Sequence, residues 1–325
     1  MTMILKTKEK GGDGFQNRLL FLLKETLGDE SIRITKIKEG KWRVQAGKDQ
    51  WFLKLYPTRQ KFQLQRAVAQ ALHQEGFLRT PGYHPVHEGS SEMKLDEKIA
   101  GLTEWVHTGK IFTYHTFKDR HDALSVVEGF HDSSRRILKK DSIQFLPGQV
   151  LIEKWKKRLQ EFRSNRQNLS EYVPLAMIDS YIQIGQTALL GLLQHGFSDE
   201  SCILHGDLAH HNFIRGTNNE MYLIDLDLIT RGPCEIDYIQ FANRILPFCG
   251  WSLDKLWRHK PLSEYKDDKA FLFGILFPSD IFREWNRFFR EGTIYRHNVW
   301  NYLMELTVNQ FHHRMVCSRD IQSLL

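Results

Sequence analysis

The stretch "LHGDLAHHNFI" (residues 204–214) sets His205, Gly206, Asp207 and Asn212 within eight positions of one another. Asp207 and Asn212 are five residues apart, a spacing that lets a loop aim both side chains into one cleft. A little further on, "YLIDLDLI" (222–229) carries Asp225 and Asp227 in an apolar, strand-like frame. Residues two apart share one face of a strand. Two carboxylates on such a face are costly unless a cation lies between them and Asn212.

Either segment alone has a bland explanation, because an Asp after an apolar run often caps a helix and an Asp-x-Asp turn often decorates a surface. Together they stand in the order and separation that phosphoryl transfer from ATP requires. The attacking hydroxyl needs an acceptor for its proton, and the metal ions that offset the triphosphate charge need hard oxygen ligands. On this reading Asp207 is the base or hydroxyl-orienting group, and Asn212, Asp225 and Asp227 face Mg2+.

Composition sets the frame around these motifs. The chain has 325 residues, 41% hydrophobic and 26% charged, enough for a sizeable core split over two domains or lobes. Its net charge of +6 suits acidic partners such as nucleotides. The densest basic stretch, "KWKKRLQEFRSNR" (154–166), has Trp155, Leu159 and Phe162 at helical spacing. It reads as the solvated side of an amphipathic helix and not as a nucleic-acid patch. The four cysteines, Cys202, Cys234, Cys249 and Cys317, form no CxxC pair, which favours reduced thiols in a cytoplasmic setting. "FLFGILF" (271–277) is the longest apolar run and is far short of a span, so no membrane partner is expected.

Periodicity then divides the chain. "FQNRLLFLLKETLG" (15–28) reads as a helix ending at Gly28. "SIRITKIKEGKWRVQAGKDQWFLKLY" (31–56) alternates like a three-stranded antiparallel meander. A helix over "RQKFQLQRAVAQALHQEGF" (59–77) follows, then a hairpin turning at Gly89-Ser90-Ser91. From Leu102 the pattern is mainly helical, interrupted by the loop and hairpin of 202–231. The tryptophans Trp251, Trp257, Trp285 and Trp300 read mostly as helix-packing core. The expected class is α+β.

His205-Gly206-Asp207-x-x-x-x-Asn212, followed by Ile224-Asp225-x-Asp227 and Gly232-Pro233-x-x-x-Asp237, resembles the signature of the aminoglycoside phosphotransferase and choline kinase family, relatives of protein kinases. The resemblance implies a two-lobed protein-kinase-like fold. A small lobe (1–98, antiparallel sheet plus helix) would cover the nucleotide, and a mainly helical lobe (99–325) would carry the catalytic loop and metal-binding hairpin. It implies Asp207 as catalytic base, Asn212 and Asp225 as magnesium ligands, and Asp227 as a second acidic group near metal or substrate. Asp237 and His205 would brace and orient the catalytic loop. "WFLKLYPT" (51–58) is similar to the third small-lobe strand, making Lys54 the lysine on the ATP phosphates, and 96–105 is placed like the segment that receives adenine.

The expected partner is a small-molecule hydroxyl acceptor. The style of the motifs is closest to CotS-related proteins of bacterial spore coats, which implies a coat association and coat-protein partners. Two departures stand out. The position where the family's helix glutamate pairs the strand lysine falls near Gln65, with Glu75 too late, and the phosphate-covering loop offers only Gly40. A catalytically weak or silent kinase-like coat protein is therefore the alternative to an active kinase.

Overall fold

A change of hydropathy period, from helical to alternating and back, marks each element. The computed structural model describes residues 12–87, 93–140, 143 and 145–325. Helix α1 (Gly12–Leu27) precedes the meander β1 (Arg33–Lys38), β2 (Lys41–Ala46) and β3 (Asp49–Tyr56). Helix α2 (Arg59–Gln74) starts at Thr58, whose hydroxyl accepts from the Lys61 N–H at 3.2 Å, a side-chain cap for an otherwise orphaned donor. Strands β4 (Met93–Leu95) and β5 (Lys98–Glu104) close a five-stranded antiparallel sheet of order β1-β2-β3-β5-β4. The β4–β5 hairpin turns at Asp96-Glu97, with Asp96 at a φ of 53°. The turn expected at Gly89-Ser90-Ser91 lies outside the described residues.

Strand β6 (Thr108–Lys110) pairs with β8 (Phe213–Gly216), and β8 with β9 (Met221–Leu223). Strand β7 (Ser201–Leu204) pairs with β10 (Thr230–Pro233). The remaining long elements are helical: α3 (Phe117–Lys139), α4 (Leu151–Ser164), α5 (Leu175–His195) and α6 (Glu235–Ile245). After these come α7 (Lys269–Leu276), α8 (Ser279–Arg290), α9 (Thr293–Met304) and α10 (Phe311–Gln322).

Packing groups these elements into two units that interleave along the chain. One takes in the chain up to Phe112, then Gly129–Leu146 and His211–Ile229. Its core sets Leu19 and Leu23 of α1 against Trp42, Val44, Leu53 and Leu102 of the sheet, each no more than 2% exposed. Each such side chain contributes about 2 kcal/mol through burial. A second cluster packs Phe62 of α2 edge-on against Tyr56 and Tyr83. The approach is close enough to require glycine at 101: a Cβ there would meet the Tyr56 ring at 2.7 Å and the Phe62 ring at 3.0 Å. Glu75, at the end of α2, is held by Arg136 (2.9 Å) and by Lys140, so it is a structural ion pair away from Lys54.

The other unit takes in Thr113–Glu128, Pro147–His210 and Thr230–Leu325. Helix α4 buries Leu151, Trp155, Leu159 and Phe162, as its amphipathic spacing demands, and Trp155 stacks on Phe277 at 4.2 Å. Trp285 is fully buried, its indole N–H donating to the Thr307 hydroxyl at 2.8 Å. The expectation of four reduced thiols is corrected for one pair. Pairing of β7 with β10 sets Cys202 opposite Gly232, two residues before Cys234, and Cys202 and Cys234 form a disulfide with Cα atoms 5.7 Å apart. Cys249 and Cys317 are free and buried, and burial pushes the Cys317 thiol up to about 12. Among the described residues, no helix is long and apolar enough to cross a membrane.

Candidate functional site

In the first unit, β3 delivers Lys54 to a carboxylate pair supplied by the turn after β9. The Lys54 ammonium lies 2.7 Å from Asp225 Oδ1 and 2.6 Å from Asp227 Oδ2. Lys54 is only 8% exposed, and a buried ammonium of this kind is tolerable only when paired. Lys41 sits directly opposite Lys54 across the β2–β3 ladder, and its Nζ reaches Asp225 Oδ2 at 2.8 Å. Facing like charges repel on a sheet, and the shared Asp225 carboxylate resolves that repulsion. Burial alone would raise the Asp225 carboxyl. The Lys54 charge and the hydrogen bonds from Lys41 and Lys54 outweigh it and hold the group far below the usual carboxylate range.

The strand-like placement expected for Asp225 and Asp227 is corrected. Strand β9 ends at Leu223, Asp225 takes the left-handed conformation at φ 67°, and Leu226–Leu228 form a single 3-10 turn. Aspartate tolerates this region better than most residues, and such strain concentrates at functional sites. The turn, rather than a shared strand face, brings both carboxylates to Lys54. Gln65, buried on α2 at 3% exposure, donates Nε2–H to Asp227 Oδ1 at 2.9 Å, and Lys61 Nζ stands 3.4 Å from the same oxygen. The position lacking the helix glutamate therefore holds an amide that fixes a carboxylate, and that carboxylate holds Lys54.

Lys41, Lys54 and Asp225 border a cavity of about 260 Å³, lined by Phe52, Tyr56, Tyr83, Trp105, Ile214 and Leu226. Glu104 and Trp105, from the segment expected to receive adenine, contribute to its wall. Concave apolar pockets edged by a few polar groups are the usual form of small-ligand sites. Asn212 is 4% exposed, and its carbonyl accepts from the Ile224 N–H at 2.9 Å, which fixes it beside the peptide that leads into Asp225. Asn212, Asp225 and Asp227 offer oxygen donors only, the donor set that suits Mg2+.

In the second unit, the loop after β7 is braced from α6. Asp237, fully buried, accepts the His205 N–H on Oδ2 at 2.7 Å and the Gly206 N–H on Oδ1 at 3.0 Å. Gly206 has a φ of 77°, a conformation glycine adopts without penalty, and the Asp207 N–H faces His205 Nδ1 at 3.4 Å. The Tyr114 hydroxyl donates to the Leu208 carbonyl at 2.6 Å. Asp207 Oδ1 receives the Arg244 guanidinium at 2.7 Å.

The sequence reading missed Lys41 and Arg244. Both carried a signal: Lys41 is the cross-strand neighbour of Lys54, and Arg244 lies seven residues after Asp237, on the same face of α6. Lys54, Asp225 and Asp227 come together in one unit, and His205, Asp207 and Asp237 in the other.

The family described as "Phosphotransferase enzyme family" matches residues 38–266, which include Lys54, the His205-Gly206-Asp207…Asn212 motif and Asp237. An aminoglycoside phosphotransferase from Alicyclobacillus acidocaldarius is similar in structure, with a TM-score of 0.68 and 14% identity over 91% of this chain and 93% of that one. The choline kinase LicA from Streptococcus pneumoniae has a TM-score of 0.55 and 13% identity over 94% and 99% of the two chains. A spectinomycin phosphotransferase solved with ADP and spectinomycin has a TM-score of 0.54 and 16% identity over 94% and 93%. No curated protein sequence matches the chain. At these identities the structural likenesses speak for the fold, the two-lobed protein-kinase-like α+β fold, while the family match covers well over half of the chain. The chain belongs to the phosphotransferase enzyme family.

Proposed function

We propose that the protein is an ATP- and magnesium-dependent kinase that phosphorylates a hydroxyl group of a small molecule. The observation that carries this reading is Lys54, held 2.7 Å from Asp225 at the rim of a cavity of about 260 Å³. The cavity's aromatic wall suits a purine. Lys54 and Lys41 offer the positive charge that nucleotide phosphates require. Asn212, Asp225 and Asp227 would hold magnesium, which when bound neutralises charge on the phosphates. Asp207 accepts the proton of the acceptor hydroxyl as its oxygen bonds to the γ-phosphorus and ADP leaves with the bond it breaks. His205 and Asp237 keep the loop backbone in place, so that Asp207 loses little orientation entropy at the moment of transfer.

Lobes 1–98 and 99–325, a cytoplasmic location and a coat association belong to the same proposal, and the motif style supports the last of these. The silent alternative, a kinase-like coat protein without turnover, draws on Gln65 and on the Arg244 contact to Asp207.

Titration calorimetry with ATP, with and without magnesium, together with slow ATP turnover, separates the two. Wild type should bind ATP only with magnesium. Asp207→Asn should keep that affinity and lose about 10²–10⁴-fold in turnover, the range for removing a general base. Wild-type protein with no magnesium-dependent affinity would end the kinase reading.

A further inference from the structure

All four oxygens of the carboxylate pair proposed to hold magnesium are already taken. Asp225 Oδ1 faces the Lys54 ammonium at 2.7 Å, and Asp225 Oδ2 faces that of Lys41 at 2.8 Å. Asp227 Oδ2 faces Lys54 at 2.6 Å, while Oδ1 accepts from Gln65 at 2.9 Å and has Lys61 at 3.4 Å. Three ammonium groups thus stand on two carboxylates, an excess of one positive charge on the pair. The side chains of Lys41, Lys54, Asp225 and Asp227 are at most 30% exposed, so solvent screens this excess poorly. A divalent cation entering alone would add to it.

The two lysines that share Asp225 are not held alike. Lys54 lies inside β3, paired with Lys41 of β2 on one side and Gly101 of β5 on the other, and its ammonium bridges both carboxylates. Lys41 is the first residue of β2, beside a turn in which Gly40 takes a φ of 72°, and its ammonium meets only one carboxylate of the pair. The same ammonium is 5.8 Å from the centre of the Phe52 ring, within cation–π reach. Lys41, Phe52, Lys54 and Asp225 all border the cavity of about 260 Å³, so an anion at that rim meets both lysines. Of the two, Lys41 is the one whose departure leaves Lys54 still paired.

We infer that Lys41 is a resident counter-ion for Asp225, which keeps divalent metal off the empty site until nucleotide phosphates take its ammonium. The inference rests on the kinase reading for the identity of that anion. The phosphates draw Lys41 away and free Asp225 Oδ2, while Lys54 keeps its bridge between the carboxylates. Metal and nucleotide are then bound as a pair, and linkage requires each to raise the affinity for the other by the same factor. Lys41 is a positioning residue in this scheme. It decides when Asp225 becomes available and takes no part in making or breaking bonds.

Mn2+ prefers the same oxygen ligands as Mg2+, and its free form is counted directly by electron paramagnetic resonance. It is titrated into nucleotide-free wild type, Lys41→Gln, Lys41→Arg and Lys41→Gln/Asp225→Asn, with a thermal melt of each to confirm folding. Lys36→Gln, which removes an exposed ammonium paired with Glu39, controls for net charge alone. Coupling between sites is typically about 5–150-fold, so Lys41→Gln should bind Mn2+ at least about tenfold more tightly than wild type. Lys41→Arg and Lys36→Gln should stay at the wild-type affinity, and the double variant should lose the gain. An unchanged affinity in Lys41→Gln, or a gain that survives Asp225→Asn, would overturn the inference. So would wild type that binds Mn2+ equally tightly with and without ADP, a result that needs no variant. Mg-ATP calorimetry runs in parallel. Absent Mg-ATP affinity in a wild type whose Lys41→Gln variant gains Mn2+ would end the kinase reading and leave the counter-ion role standing.

Discussion

Lys54 shows how one side chain's environment replaces a missing partner. Its ammonium is shared between Asp225 and Asp227, and Gln65 spends its amide on fixing the second of these. A glutamate at position 65 would have supplied the charge directly. Here the charge comes from Asp227, and the helix supplies only orientation. Gln65→Leu keeps the buried volume roughly constant but removes the donor to a carboxylate. Hydrogen bonds to charged groups contribute about 1.5–3 kcal/mol, so this variant should lose about 2 kcal/mol of stability in urea unfolding, with a weaker Mg-ATP affinity. Unchanged stability would mean that the amide does not hold Asp227 in solution.

At the scale of elements, the loop that carries Asp207 is a strand-to-loop transition held by one helix. Asp237 accepts two backbone N–H groups, those of His205 and Gly206, and α6 places it there in its first turn. Asp237→Asn turns one acceptor oxygen into an amide donor facing an N–H group. Leaving a buried donor unsatisfied costs about 1–3 kcal/mol. The expected outcome is a fall of several degrees in the melting temperature, with turnover reduced more than nucleotide affinity, because the loop carrying Asp207 loosens. Equal losses in both would show that the brace acts on the whole unit.

This element was legible in the sequence because each step is local or has a fixed motif spacing. His205 through Asn212 is one loop, and Gly232-Pro233 ends a strand before α6 begins. The turn after β9 was not legible in the same way. "LIDLDLI" satisfies an alternating pattern, yet Asp225 leaves the strand because two lysines on the neighbouring sheet draw its carboxylate to a left-handed position. Local hydropathy does not report that pull.

Over the whole molecule, stability should depend on pH through a buried histidine outside the proposed roles. His259 is fully buried, stacks on Phe117 at 4.5 Å, and accepts the Arg120 Nε–H on Nε2 at 3.3 Å. Burial and the Arg120 charge push its pKa down to about 4. In the unfolded chain the ring protonates near 6.5, so between these values the unfolded state binds the extra proton and the native state does not. Stability is therefore full above about pH 6.5 and falls as the pH drops toward 4, by up to about 3 kcal/mol. Urea unfolding at pH 7.5, 6, 5 and 4 reads this directly, and His259→Gln should flatten part of the slope. A flat profile in the wild type would rule out a neutral buried His259.

What the sequence by itself determined was the order of most elements and the motifs that carry the candidate site residues. Helical and alternating periods, glycine stops and the His-Gly-Asp…Asn and Asp-x-Asp spacings are written in neighbouring residues, and backbone geometry turns them into elements and loops. Tertiary structure alone decided which charge meets which. Lys41 reaches Asp225 across 184 positions, Gln65 reaches Asp227 across 162, and Cys202 meets Cys234 because two strands happen to pair in that register. Such partners are chosen by the cost of burying an unpaired charge once the chain has closed, and that cost has no local trace. Gln65 is the clearest instance: in the sequence it stands where the family's glutamate should be, and in the fold it completes the hold on Lys54.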